Sequence, residues 1–141
     1  MVSPALISIV GTQQLDGEAP ESIELVTEGS YCYEPGYVRF SYVETQMTGL
    51  EGVVTTFTIE DERTVTLTRV GKVNSKMVFE LGRVDDSLYE AGLGALMLRV
   101  QTRAMTMLLN ERGGIFDLSY SIEVEYATCG VNSYHIEIRT S

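Results

Sequence analysis

The sequence predicts an all-β protein: one antiparallel up-and-down barrel of about 8–10 strands, closed or nearly closed on itself. Three observations carry this. First, Phe116 to Tyr126 alternates without a fault, apolar or aromatic at 116, 118, 120, 122, 124 and 126 and Asp, Ser or Glu between. On a helix those six side chains would scatter round the circumference; on a strand they line one face. Second, weaker copies of the pattern recur along most of the chain, separated by hairpin-length links rich in Gly, Pro, Asn and Asp. Third, the 116–126 run would span about 35 Å at ~3.3 Å per residue, a length that suits a tilted, coiled barrel better than a short flat sheet.

The elements follow in order. Ala5 to Gln13 is the first expected strand, ended by a turn at Asp16-Gly17 and an acidic, Pro-containing loop over Glu18 to Glu21. Ser22 to Glu28 is the second, and after a bend or bulge at Gly29, Ser30 to Glu34 continues as a third. Pro35-Gly36 is a turn, since Pro presets φ and Gly accepts a positive one. Tyr37 to Glu44 follows, with Val38, Phe40 and Tyr42 on one side. Val53 to Glu60 and Arg63 to Val70 are joined through Asp61-Glu62. Gly71 to Ser75 turns again. Lys76 to Leu81 is a strand with Met77, Phe79 and Leu81 on one face, and Ser87 to Ala91 is a short one. Ile115 to Tyr126 and Tyr134 to Thr140 form the last pair, connected through Cys129-Gly130-Val131-Asn132.

Leu93 to Asn110 supports two readings. Its Ala, Leu, Met, Arg and Gln content favours helix, which here would be a lid on the barrel end. The alternation of Leu96, Leu98, Val100 and Thr102 with Met97, Arg99, Gln101 and Arg103, and the lack of an N-cap, favour two strands turning near Arg103-Ala104. The second reading is preferred.

Composition bounds the function. A chain of 141 residues has the length of one domain, residues 1–141, and can bury a core without a disulfide or a metal. The net charge of −10 repels phosphate backbones and anionic headgroups, so neither nucleic acid nor a membrane surface is an expected partner. The N-terminus has no basic region before an unbroken apolar stretch, and nothing approaches the ~20 apolar residues of a membrane-spanning helix. The expectation is a cytoplasmic protein in which Cys32 and Cys129 are free thiols. No metal site and no cofactor is expected, because two Cys and one His come without ligand spacing.

Parity places two charges on apolar faces. Glu44 shares its side with Val38, Phe40 and Tyr42; Arg69 shares its side with Val65 and Leu67, as does Arg63 at the other end. A buried lone charge costs several kcal/mol, so each needs a partner. Either Glu44 and Arg69 pair or sit at a wet rim, or Arg69 clamps the carboxylate or phosphate of a ligand. Eight tyrosines stand against no tryptophan, and Tyr31, Tyr33, Tyr42, Tyr120, Tyr126 and Tyr134 fall in expected strands. An inward tyrosine offers an apolar ring and a polar tip, which suits a pocket for an amphipathic ligand and equally a satisfied core. Met97, Met105 and Met107 read as core filling, with a pocket lining or an oligomer contact as the alternative. The link Met47-Thr48-Gly49-Leu50-Glu51-Gly52 is a shaped hairpin or a loop at the barrel mouth. His135 alternates onto a polar face beside Glu137 and Arg139. No Gly-x-Ser-x-Gly elbow is present, so no enzyme is expected.

The stretch Tyr42-x-Glu44-x-x-Met47-Thr48-Gly49-x-Glu51-Gly52 resembles the YwiB-like family of small uncharacterised bacterial proteins, as do Leu67-x-Arg69-x-Gly71, Phe79-Glu80-x-Gly82 and Gly113-Gly114. The matches run over nearly the whole chain. The resemblance implies a calycin-like barrel, the broad architecture of lipocalins, fatty-acid-binding proteins and avidin, and through it the binding of a small apolar or amphipathic molecule. With no Trp the chain lacks the lipocalin Gly-x-Trp signature. Its last strand, ending Ile136-Glu137-Ile138-Arg139, lacks the Arg-x-Tyr pair of fatty-acid-binding proteins. The expected function is ligand binding by Tyr42, Glu44, Arg69, Tyr120 and Tyr134 under a mouth loop of Met47, Thr48, Gly49, Glu51 and Gly52. The alternative is a filled barrel acting as an adaptor through protein contacts, as a homodimer.

Overall fold

Ten strands follow one another up and down in the computed structural model: β1 (Val2–Leu15), β2 (Glu21–Glu34), β3 (Tyr37–Val43), β4 (Val54–Glu60), β5 (Thr64–Val70), β6 (Val73–Phe79), β7 (Val84–Ala91), β8 (Gly94–Asn110), β9 (Gly113–Val124) and β10 (Ala127–Thr140). Each pairs antiparallel with the next, and β1 pairs with both β2 and β10, which closes the barrel. The structure describes residues 2–15, 17–92, 94–125 and 127–140, with the backbone alone at 91 and 127–129. The expectations for Asp16, Leu93 and Tyr126, and for the Cys129 side chain, lie outside the described residues. No helix among the described residues is long and apolar enough to cross a membrane.

The core is the inward half of the alternation. Ile7, Phe40, Phe57, Val65, Leu67, Phe79, Phe116 and Ile136 are fully buried. Phe40 stacks on Phe57 at 4.9 Å between centroids, and Phe116 meets both rings edge-on. Burying an aromatic ring removes a large apolar area from water, and edge-to-face pairs add to that. These rings fill the middle of the barrel. Met105 and Met107 pack against the same core.

Five expectations are corrected, each where a local signal has two structural meanings. Residues 94–110 are one strand of 17 residues rather than two strands or a helix. Its register against β9 shifts between Thr102 and Ala104. The extra residue at Arg103 flips the parity, so Leu98, Val100 and Thr102 face inward before it and Met105 and Met107 after it. A change of phase marks a turn or a bulge, and here it marks a bulge. The Cys129–Asn132 connection is likewise strand: β10 begins at Ala127, directly opposite Val124, and slips register between Thr128 and Gly130. Gly130 has φ of 149°, and a Cβ there would lie 2.0 Å from the Gln14 carbonyl oxygen, so its glycine serves a close approach of strands.

The expected second and third strands are one, β2. Gly29 lets it bend between two neighbours, since a Cβ at that position would meet the Ser41 carbonyl oxygen at 2.2 Å and the Ile7 side chain at 2.7 Å. The 71–75 turn is only Gly71-Lys72. The Asn74 side chain ties it, donating to the Gly71 carbonyl at 2.9 Å, and β6 already starts at Val73. Leu81, expected inside, is exposed in the following turn. Cys32 is free and half-buried.

Candidate functional site

One end of the barrel is not filled. The far ends of β1, β3 and β5 and the near ends of β2 and β10 surround a cavity of about 230 Å³. Ile9, Ile23, Leu25 and Leu50 give it apolar walls, and Tyr42, Glu44, Arg69, Asn132 and Tyr134 give it polar ones. The β3–β4 link crosses beside it as a single 3-10 turn over Gln46–Thr48, ending in Gly49 with φ of 76°.

Glu44 holds that link in place. Its backbone N–H donates to the Val53 carbonyl at 2.8 Å, and its own carbonyl accepts from the Gly52 N–H at 3.1 Å. The residue is 4% exposed. Thr55 Oγ1 donates to Oε2 at 2.6 Å, and Thr48 Oγ1 lies 3.1 Å from both Oε1 and the Thr45 carbonyl, sharing one proton between them. A carboxylate offers about four acceptor positions, so the threonines leave room for another donor.

Arg69 is built differently. Its Nη2 donates to Tyr134 Oη at 3.0 Å, while its Nε is buried without a hydrogen-bond partner. Among the described residues no carboxylate lies within ion-pair distance of it, so Glu44 and Arg69 line one cavity without pairing. Burial works against the Arg69 charge, but the phenols of Tyr134, Tyr120 and Tyr42 outweigh it and hold the guanidinium above the ordinary arginine range. Arg63, the other inward expectation, is exposed and makes a 3.8 Å surface pair with Glu80.

The tyrosines form the floor. Tyr134 meets Phe57 edge-on at 5.8 Å, and Tyr120 lies 6.5 Å from Tyr134 and 4.6 Å from Phe79, so the aromatic core runs up to the guanidinium. Burial pushes the Tyr42 and Tyr120 hydroxyls well above the usual phenol range; Glu44 adds to the shift at Tyr42 and Arg69 opposes it. Asn132 Nδ2 donates to Tyr120 Oη at 3.4 Å, leaving the buried Oδ1 without a partner.

Of the residues expected to form a site, Tyr42, Glu44, Arg69, Tyr134 and Thr48 line the cavity and Tyr120 lies beneath it. Met47, Gly49, Glu51 and Gly52 belong to the link and do not line the cavity. Sequence reasoning missed Asn132 and Thr55. Both were visible in parity: Asn132 continues the face of Tyr134, Ile136 and Ile138, and Thr55 that of Phe57 and Ile59. His135 lies outside the cavity on the barrel wall, its Nδ1 against Asp117 across the β9–β10 ladder. Among the described residues, no cluster of His, Cys, Asp and Glu could hold a metal ion.

Comparison with known proteins adds family and fold. The model of a domain of unknown function, DUF1934, matches residues 7–138. The crystal structure of the ywiB protein from Bacillus subtilis is similar with a TM-score of 0.80 at 22% sequence identity, covering 99% of this chain and 93% of that one. At that identity the likeness speaks for the barrel. No curated protein matches.

Proposed function

We propose that this chain, which belongs to the DUF1934 family, binds a small amphipathic molecule at the open end of its barrel. The observation that carries the reading is the pair of buried polar atoms, Arg69 Nε and Asn132 Oδ1, that lack partners beside a cavity of about 230 Å³. Buried polar groups in native proteins are nearly always paired, and an orphan costs about 1–3 kcal/mol. Two orphans on one cavity are explained together if a guest supplies both partners. The filled barrel middle limits that guest to a short molecule, since Phe40, Phe57 and Phe116 leave no path for a long alkyl chain. Native mass spectrometry of protein purified gently from its source tests this: a co-purifying small mass is expected, lost in Arg69→Met. A bare protein from every preparation that also takes up no small amphipathic probe overturns it.

The adaptor reading has one observation in its favour. Val43, Val54 and Val70 are register partners across β3, β4 and β5, and all three are exposed on the outer wall. Sedimentation separates the two readings: a dimer that persists to low micromolar concentration favours protein contacts, and a monomer removes the homodimer from consideration.

A further inference from the structure

The cavity holds a cation and an anion that do not touch, and we infer that its ligand is a zwitterion: a small α-amino acid with an apolar side chain, its carboxylate on Arg69 and its ammonium on Glu44. This rests on the ligand-binding reading above and specifies the chemistry of the same site.

Four observations carry it. The first is the charge layout. Arg69 and Glu44 both line the cavity, Glu44 buried and Arg69 half-buried with its Nε out of reach of water, yet their only side-chain hydrogen bonds among the described residues are to hydroxyl groups. Buried charges are ordinarily paired, because an isolated one costs several kcal/mol. A simple carboxylate would satisfy Arg69 and leave Glu44 bare; an amine would do the reverse. A molecule carrying both charges satisfies both.

The second is spacing. Thr55 donates to the Glu44 carboxylate and is the cross-strand partner of Arg69 in the β4–β5 ladder. Directly opposed residues have Cβ atoms about 4.5–5.5 Å apart. The two side chains therefore stand on one wall, beyond ion-pair distance of each other, and an α-amino acid, which carries its ammonium and its carboxylate on one carbon, presents both charges to that wall. Tyr42, the other cross-strand partner of Thr55, feels both charges and lines the same cavity with its hydroxyl unpaired among the described residues, available to either charge of the guest.

The third is the remainder of the lining. Ile9, Ile23, Leu25 and Leu50 offer a patch for an aliphatic or aromatic side chain, and the volume of about 230 Å³ admits one residue rather than a peptide. The fourth is the outer field. A protein with net charge −10 repels a free anion on approach, whereas a zwitterion has no net charge to repel.

The two charged contacts have different chemistry. The guanidinium keeps Nε free for one carboxylate oxygen, while Nη2 remains on Tyr134. The Glu44 carboxylate keeps its threonine donors and accepts the ammonium on its remaining lone pairs.

Calorimetric titration with L-leucine and L-phenylalanine, each beside its deaminated acid and its decarboxylated amine, tests the assignment without altering the protein. The expected result is that an amino acid binds about ten- to a hundredfold more tightly than either truncated relative, the loss that follows from removing one charge-assisted hydrogen bond. Glu44→Gln should abolish the roughly ten- to hundredfold advantage of the amino acid over its deaminated acid, read as the ratio of the two affinities in the same variant. If the acid binds as tightly as the amino acid, the zwitterion is overturned while the ligand-binding reading stands. If neither series binds to protein that retains its near-ultraviolet tyrosine dichroism, the amino-acid class is overturned, and the native mass spectrum decides the broader reading separately.

Discussion

At the closed end of the barrel, Tyr31 is 2% exposed and its hydroxyl donates to the Asn110 carbonyl at 2.7 Å. Around Tyr33, Met107 and Leu109 a void of about 20 Å³ remains, room for little more than one water molecule. At the open end, Arg69 and Asn132 keep polar atoms unpaired beside a cavity of about 230 Å³. Both ends use aromatic rings with polar tips. The difference lies in the groups that meet those tips: the Asn110 carbonyl accepts from Tyr31, whereas Arg69 and Asn132, though bonded to Tyr134 and Tyr120, each keep a further polar atom unpaired. Withheld bonds destabilise a fold unless something outside it completes them, and the proposed binding role of the open end rests on that contrast.

Breaking the closed end should have the largest effect. Tyr31→Ala removes a fully packed ring and a satisfied hydroxyl, and is expected to cost about 3–5 kcal/mol in urea unfolding, by analogy with other aromatic-to-alanine core changes. Tyr31→Phe keeps the ring and should cost about 1 kcal/mol. The same burial, with smaller contributions from Tyr33 and Cys32, raises the Tyr31 hydroxyl from 10.0 to about 12. The folded state therefore holds this proton more tightly than the unfolded state. Its contribution is intact below pH 10 and declines as pH rises towards 12, so the alkaline loss of stability should be shallower in Tyr31→Phe. Equal alkaline slopes in the two proteins would separate Tyr31 from this behaviour.

Breaking the open end should have the opposite sign. Arg69→Met deletes a buried guanidinium whose partners are incomplete and replaces it with an apolar side chain of similar length. The expected change in unfolding free energy lies between zero and a gain of about 4 kcal/mol. A clear loss of stability would mean that Arg69 is part of the structural core, and the contrast between the two ends would fail.

The closed end was the more legible in the sequence. Apolar alternation alone places Tyr31, Val38, Ile59 and Phe116 inside, because a barrel core asks only for the correct parity. The open end was half legible. Parity flagged Glu44 and Arg69 as charges on an apolar face, and the same argument would have reached Thr55 and Asn132. What parity cannot carry is continuity across a bulge: at Arg103 and near Gly130 an inserted residue reverses the phase, and a local pattern looks the same whether the chain turns or slips. Nor does it say that Glu44 and Arg69 stay apart, because that depends on side-chain reach across two ladders, which only the assembled barrel sets.

The outer wall supplies the control, with the smallest expected effect. His135 and Asp117 face each other across the β9–β10 ladder, a pair as complete as Tyr31 and Asn110 but nearly half exposed. If pairing alone made a polar group valuable, losing this contact would match the loss at Tyr31. Solvent screening argues otherwise: exposed pairs contribute roughly 0–1 kcal/mol. His135→Gln should therefore shift stability by about 0.5 kcal/mol or less. The titration still reports the contact. The hydrogen bond to Asp117 raises the His135 pKa above 6.5, against a small opposing effect of burial. Protonated His135 thus favours the folded state; its contribution is fully present below pH 6.5 and is lost as pH rises through the elevated folded value. Imidazole NMR titration of Asp117→Asn should show the pKa falling back towards 6.5. A large stability change at this wall position would mean that pairing, not burial, separates the two ends of the barrel.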